Sequence, residues 1–280
     1  MVVATLRSAQ KTQMLEGAGA GRLEGFFNQA TEFELDRVLS AAERERAGGK
    51  RGDERIAQAL DREGVHGFAS LLANGPQLLA EWKRGWSPNT DPNARSRPRG
   101  AALVTAAVEV RRCGARGPIS RDLLERLHTR YLEERGGESL NPEPFAEAWK
   151  WSTAFRRGTT RLLSPSGDGR VEVFDFLVDE VERRTRVEEQ VPEKVFEEVL
   201  ARASAADTQS MGWRTNAQGR YRLAERSYRR ALDLSVFDLG PEHPDTLMSR
   251  NNLATVLSEF GSVGGGGASD GVGGTSACVG

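Results

Sequence analysis

The register of one helical pattern restarts within the last third of the chain. Ser210-Met211-Gly212, Thr215 and Gly219 are followed by Asn251-Asn252-Leu253-Ala254, Leu257 and Gly261, and the last glycines of the two sets lie 42 residues apart. Between them stand Tyr221, Ala224, Tyr228 and Ala231, alternating aromatic and small at helical spacing. The small residues let a neighbouring helix approach closely, the tyrosines fill the space beside them, and Gly219 permits a tight turn. A unit of this kind cannot bury its apolar face alone, so it stacks on copies of itself. Leu239-Gly240-Pro241 ends one helix, and Asp245 or Thr246 is positioned to cap the next. His243 reads as a loop residue.

This segment resembles a tetratricopeptide (TPR) repeat, whose usual period is about 34 residues. The extra length falls in Phe237-Asp-Leu-Gly-Pro-Glu-His-Pro-Asp245, which is similar to the kinesin-light-chain type. Tyr221, Tyr228, Ala224 and Ala231 then read as core. Paired asparagines in mid-helix are mildly unfavourable and ask for a reason. The resemblance implies that Asn252, with Asn251 and Arg214, contacts the backbone of an extended partner peptide. An inter-repeat structural hydrogen bond is the alternative for Asn252. One and a half repeats leave Leu253, Val256, Leu257 and Phe260 short of a neighbour, so this face pairs with a partner, self-associates or frays.

Composition narrows the rest. Lys+Arg 39 against Asp+Glu 40 gives no global pull toward nucleic acid or an anionic membrane. Cys113 and Cys278 lie far apart, and His66, His128 and His243 form no zinc spacing, so no metal or other cofactor is expected. The reading is a reduced, cytoplasmic chain without a signal peptide. Its most apolar run, Ala101 to Val110, is too short to span a bilayer.

At the other end, Val2-Val3-Ala4-Thr5-Leu6-Arg7 reads as a single β-branched strand. A strand ending in Thr-x-Arg before a helical region resembles the nucleotide-binding domain of STAND-type (NB-ARC and AP-ATPase-like) ATPases. The resemblance implies that Arg7, beside Thr5, is a vestigial γ-phosphate sensor; a solvated arginine at a terminus is the plainer reading. Residues 22–85 show helical stripes, broken by Ala47-Gly-Gly-Lys-Arg-Gly52 and by Asn74-Gly75-Pro76. They stand where the family carries a helical lid. Gly48-Gly49-Lys50 fails as a phosphate loop, because Arg44 replaces the first glycine and Arg51 the hydroxyl. Without the phosphate- and magnesium-binding groups, no catalytic residue is expected and the chain reads as a non-enzyme.

A Pro/Arg/Asn-rich linker at 86–100 precedes an α+β pattern at 101–186. Ala101 to Arg112 reads as a helix. Ser120 caps a second with Leu123, Leu127 and Tyr131. Pro144 opens a third with Phe145, Ala148 and Trp149. Thr159 to Leu163 and Arg170 to Phe174 then form a hairpin. That order is a winged helix, which follows the lid in the STAND resemblance. Lys150, Arg156, Arg157 and Arg161 raise DNA binding as a rival. Glu143 and Glu147, read on the third helix, and the balanced charge rank it below protein interaction.

The expected fold is mainly α. A nucleotide-binding remnant (1–21), lid-like helices (22–85) and the linker precede the winged helix; a connector helix (187–205), TPR helices (206–260) and a disordered Gly-rich tail (261–280) follow. The functional expectation is a non-catalytic protein-interaction piece of a STAND-type signalling protein that binds a peptide in the TPR groove. A DNA-binding regulator and part of a nucleotide-switched ATPase remain the alternatives.

Overall fold

A computed structural model describes residues 38–62, 67–88, 96–156, 160–185 and 189–265, with side chains in the last helix described to 259. Thr5, Arg7, Arg157, the Phe260 side chain and the segments 1–21 and 266–280 therefore lie outside the described residues. The chain divides into two compact units, Met1–Ala69 and Ser70–Gly280.

In the first unit, α1 (Ala41–Gly48) begins with a capping box: the Ser40 Oγ accepts from the Glu43 N–H, and Glu43 accepts from the Ser40 N–H at 2.9 Å. The break at the glycines is real, and α2 (Glu54–Arg62) restarts after Asp53, whose Oδ1 accepts from the Arg55 N–H at 2.9 Å. A short helix, α3 (Phe68–Leu72), lies across the division between the units.

The second unit is built around α5 (Pro98–Arg112). Ala101 to Val104 and Ala106 to Val110 are all buried, as expected of a helix apolar on every side and surrounded by others. Against it lie α4 (Gly75–Gly85), α6 (Arg121–Glu134), α7 (Phe145–Thr153), α8 (Asp175–Arg184) and α9 (Glu193–Leu200). Helix α4, grouped by its sequence with the preceding lid-like helices, packs on α5 through Leu78, Leu79 and Trp82. Its Trp82 Nε1–H donates to the Ala101 carbonyl at 3.0 Å. Asn74 enters α4 at φ 57°, with Pro76 in the first turn. The ends of the 86–100 linker are pinned together, since the Arg97 N–H donates to the Gly85 carbonyl at 3.0 Å, and α5 has already begun at Pro98.

Ser120 caps α6 as its sequence predicts, accepting from the Leu123 N–H at 3.3 Å. Glu143 departs from expectation. It precedes α7 rather than lying on it, and it is buried against the N-terminus of α5. Its carboxylate accepts from the Gly100 N–H at 2.8 Å and the Arg99 N–H at 3.3 Å, where negative charge satisfies free donors and favours the helix dipole.

The hairpin is shorter than the sequence suggests: β2 (Leu163–Pro165) pairs with β3 (Arg170–Val173), and Thr160 makes only an isolated bridge to Arg156. A third strand, β1 (Ile119–Ser120), pairs antiparallel with β3, giving the order β1-β3-β2. Ile119, Leu163, Val171 and Val173 turn into the core.

Helices α10 (Ala205–Ala217), α11 (Tyr221–Leu239) and α12 (Pro244–Gly265) complete the unit. Two expectations fail here. Helix α12 opens at Pro244, and the His243 Nδ1 accepts from the Asp245 N–H at 3.2 Å, while the Thr246 hydroxyl closes the loop by donating to the Gly240 carbonyl at 2.8 Å. So His243 takes the capping role assigned to Asp245 or Thr246. The backbone also continues as helix through Gly261 to Gly265, whereas Gly219, its equivalent, turns at φ +70°. Glycine permits a turn without compelling one. Among the described residues, no helix is long and apolar enough to cross a membrane.

Candidate protein-interaction site

The site is carried by α10 and α12, and its placement begins with how α10 is fixed. Ser204 caps α10, its Oγ accepting from the Asp207 N–H at 3.1 Å. The Asp207 carboxylate then reaches across the fold. Its Oδ1 accepts from the backbone N–H groups of Arg116 at 2.6 Å and Gly117 at 2.8 Å. The loop they belong to lies directly on α10: a Cβ at Gly114 (φ +100°) would stand 3.0 Å from the Met211 Cα and the Ser210 carbonyl oxygen. Met211 is fully buried and, with Leu223 of α11, belongs to the same apolar core as α5.

Helix α9 flanks α11 on the same side. Arg226 pairs with Glu193 and Glu197 at 3.2 and 2.6 Å, and Arg230 donates to the Ala201 carbonyl at 2.7 Å. The α+β bundle and α9 thus pack directly on α10 and α11.

Within the helical hairpin, Gly212 lies under the ring of Tyr228, where an added Cβ would be only 2.7 Å away. Ala224, Tyr228 and Val256 form the seam between α11 and α12, with Tyr221 and Leu253 against them. Burial pushes the Tyr228 hydroxyl well above its ordinary pKa, so it stays a neutral phenol. Residues 215–262 match the tetratricopeptide repeat family. No curated protein and no solved structure matches the chain. Of the positions that the sequence marks as TPR core, Ala224, Tyr228 and Ala231 are buried and Tyr221 is partly buried against them.

The match covers α12 as far as residue 262 and only Thr215–Ala217 of α10. Gln209, Trp213 and Asn216 follow one helical stripe of α10, and the repeat shift of 42 residues carries them onto Asn251, Thr255 and Ser258 of α12. Trp213 is 37% exposed and Asn251 is exposed. The Asn216 Oδ1 is shielded from solvent and accepts no hydrogen bond among the described residues. The stripe thus offers the Asn251 amide and one indole, suited to the backbone and an apolar side chain of an extended chain.

The residues singled out from the sequence are not brought together equally. Asn252 is engaged within the fold: its Nδ2 donates to the Gln209 Oε1 at 3.1 Å, and the Gln209 amide donates to the buried Ser249 hydroxyl. This is the inter-repeat hydrogen bond that the sequence left as the alternative. Arg214 turns away from the stripe and pairs with Glu182 of α8. Asn251 keeps an open amide. Gln209, Ser249 and Trp213 carried no signal of their own in the sequence, although the repeat shift that relates Gln209 to Asn251 could have drawn attention to Gln209. Asp207 was legible as an acid in the first turn of a helix, and its distant backbone partners were not.

Proposed function

We propose that this chain is a protein-interaction module in which α10 and α12 bind an extended segment of a partner, and in which the α+β bundle fixes the first TPR helix. TPR repeats are typically non-catalytic interaction modules, and the match over residues 215–262 carries the reading. Asn251 and Trp213 supply the contacts. Asn252 acts by holding α12 against α10, and Arg214 by anchoring α10 to α8.

The wider setting we propose is a STAND-type signalling protein working in the cytoplasm. What supports this reading is that the order helix, strand, helix, helix, hairpin, with strands arranged β1-β3-β2, resembles a winged helix and precedes the TPR-like helices. The lid assignment for 22–85 and the sensor roles of Arg7 and Thr5 belong to the same proposal. DNA binding is disfavoured by the way the arginines are used. Arg156 donates to Glu81 at 2.6 Å and to the Trp151 carbonyl at 2.7 Å, and its guanidinium lies over the Trp151 ring. Arg161 lies over Phe155.

Selection of peptides from a random extended library against the full chain tests the reading. Selected peptides are expected to lose about tenfold in affinity on Asn251→Ala or Trp213→Ala, with the fold retained by circular dichroism. Failure to select any peptide, or selected peptides indifferent to both changes, overturns it. Tight ATP binding by the chain that is lost on Arg7→Ala would instead favour the nucleotide-switched alternative.

A further inference from the structure

His128 of α6 stands beside the stretch that leads into α7, and its hydrogen bonds fix its protonation state. Its Nε2 lies 3.3 Å from an Arg99 guanidinium nitrogen. Arginine has donors and no acceptor, so Nε2 carries the lone pair and accepts. Nδ1 then holds the proton and donates it to the Glu125 carbonyl at 2.7 Å and the Leu124 carbonyl at 3.2 Å. The ring is buried and packs on Phe145, with centroids 5.6 Å apart. A second proton would turn Nε2 into a donor aimed at a cation.

Arg99 passes that change on to the chain ahead of α7. Its Nε donates to the Glu143 carbonyl at 2.7 Å, and its backbone N–H, with that of Gly100, donates to the Glu143 carboxylate. Pro142 and Pro144 flank Glu143 and have no N–H to donate. The stretch 141–144 is thus seated on α5 through Glu143. The backbone just before it takes uncommon conformations, with Gly136 at φ 126°, Gly137 at φ 57° and Asn141 at φ 48°. Leu140, in the core, and Pro144, whose carbonyl accepts from the first turn of α7, bound what can move.

The charges around His128 give an imidazolium no buried relief. Arg99 faces it from α5. On its own helix Glu125 is exposed. In the 3-10 turn Gly137–Leu140, Glu138 is 89% exposed and lies 3.8 Å from Arg99. Arg121, over the Phe145 ring at 5.1 Å, adds a further cation. Burial, aided by Arg99, accordingly holds the His128 pKa below 6.5.

We propose that His128 is an acid-sensitive latch: a proton on Nε2 drives Arg99 away, Glu143 loses its seat, and the stretch 141–144 lifts from the N-terminus of α5 while the rest of the fold stays closed. This device does not depend on the α10–α12 stripe.

The Gly100 amide, which donates to the Glu143 Oε1 at 2.8 Å, reports the latch. Its hydrogen exchange is followed by NMR in the full 280-residue chain at about pH 7.5 and about pH 5.0, relative to the exchange of unstructured chain at each pH. Opening frees a histidine of ordinary pKa 6.5, so Gly100 protection should fall by up to about thirtyfold. The Leu123 and Thr215 amides should keep theirs. His128→Gln retains an acceptor for Arg99 but takes no proton, and should abolish the fall. Glu143→Gln, neutral at both pH values, should leave it in place. Unchanged Gly100 protection overturns the proposal. So does a fall that persists in His128→Gln or vanishes in Glu143→Gln, because the carboxylate would then be the titrating group. A fall shared by Leu123 and Thr215 is global destabilisation and overturns it as well.

Discussion

At Gly212 the absence of a methyl group sets how closely two helices approach. A Cβ there would sit 2.7 Å from the Tyr228 ring, and the ring is held between α10 and α12 with little room to retreat. Gly212→Val should destabilise the protein by about 2 kcal/mol, seen as a lower denaturation midpoint at unchanged slope. Asp207 acts over a longer range of sequence, tying α10 to the Arg116–Gly117 backbone. Asp207→Ala removes two charge-assisted bonds and should cost about 2 kcal/mol in the same measurement. His128 provides a titration test. It is buried, its Nδ1 lies 2.7 Å from the Glu125 carbonyl, and its Nε2 faces the Arg99 guanidinium at 3.3 Å. Burial, aided by Arg99, holds its pKa below the ordinary 6.5, so the unfolded chain takes up the proton first. Its contribution to stability is therefore complete above pH 6.5 and is lost as the pH falls below it. His128→Gln should flatten that part of the stability profile relative to the parent chain.

Among the elements, those written by apolar period and capping chemistry were legible. The Ser120 cap, the all-round apolar α5, the buried faces of α6 and α9, and the tyrosine–alanine seam of α11 all follow from residue spacing. What escaped depended on partners far along the chain. Strand β1 is two residues long and exists only because Val171 and Arg170 stand opposite Ile119 and Ser120. Glu143 was placed by its neighbours in sequence, yet its position is set by the free N–H groups of α5. His243 caps α12 because the loop from Gly240 folds back on itself. The asparagine pair on α12 was only half legible, since the hydrogen bond to Gln209 makes Asn252 structural while Asn251 remains exposed. The same reasoning orders stability among the repeat helices. Helix α10 is held by the bundle and by α11, whereas one flank of α12 faces solvent. Hydrogen exchange should therefore show stronger protection of Met211 to Thr215 than of Leu253 to Leu257. Equal protection of the two stretches in dilute monomer would contradict this.

For the second unit as a whole, the joining of bundle and repeats matters more than either part. Met211 and Leu223 lie in the same core as Leu103 and Phe196, with no apolar boundary at the connector. Unfolding followed by tryptophan fluorescence and by far-ultraviolet circular dichroism should thus report a single transition for residues 74–280. The isolated segment 204–280, deprived of the surface that covers Met211, should show no cooperative transition. Two well-separated transitions in the longer piece would mean that the repeats stand independently.

The Asp207 clamp and the burial of Met211 also have a mechanical consequence. A load applied at the C-terminal end reaches α12 first, which among the described residues packs on α11 and is tied to α10 through Gln209, and which can peel off turn by turn. To travel further, the load must shear α10 out of the bundle, rupturing the aspartate bonds and the methionine contact together. Stretched in an optical trap, the chain should yield gradually and then break abruptly, with the weak step at α12 and the strong one at the anchor.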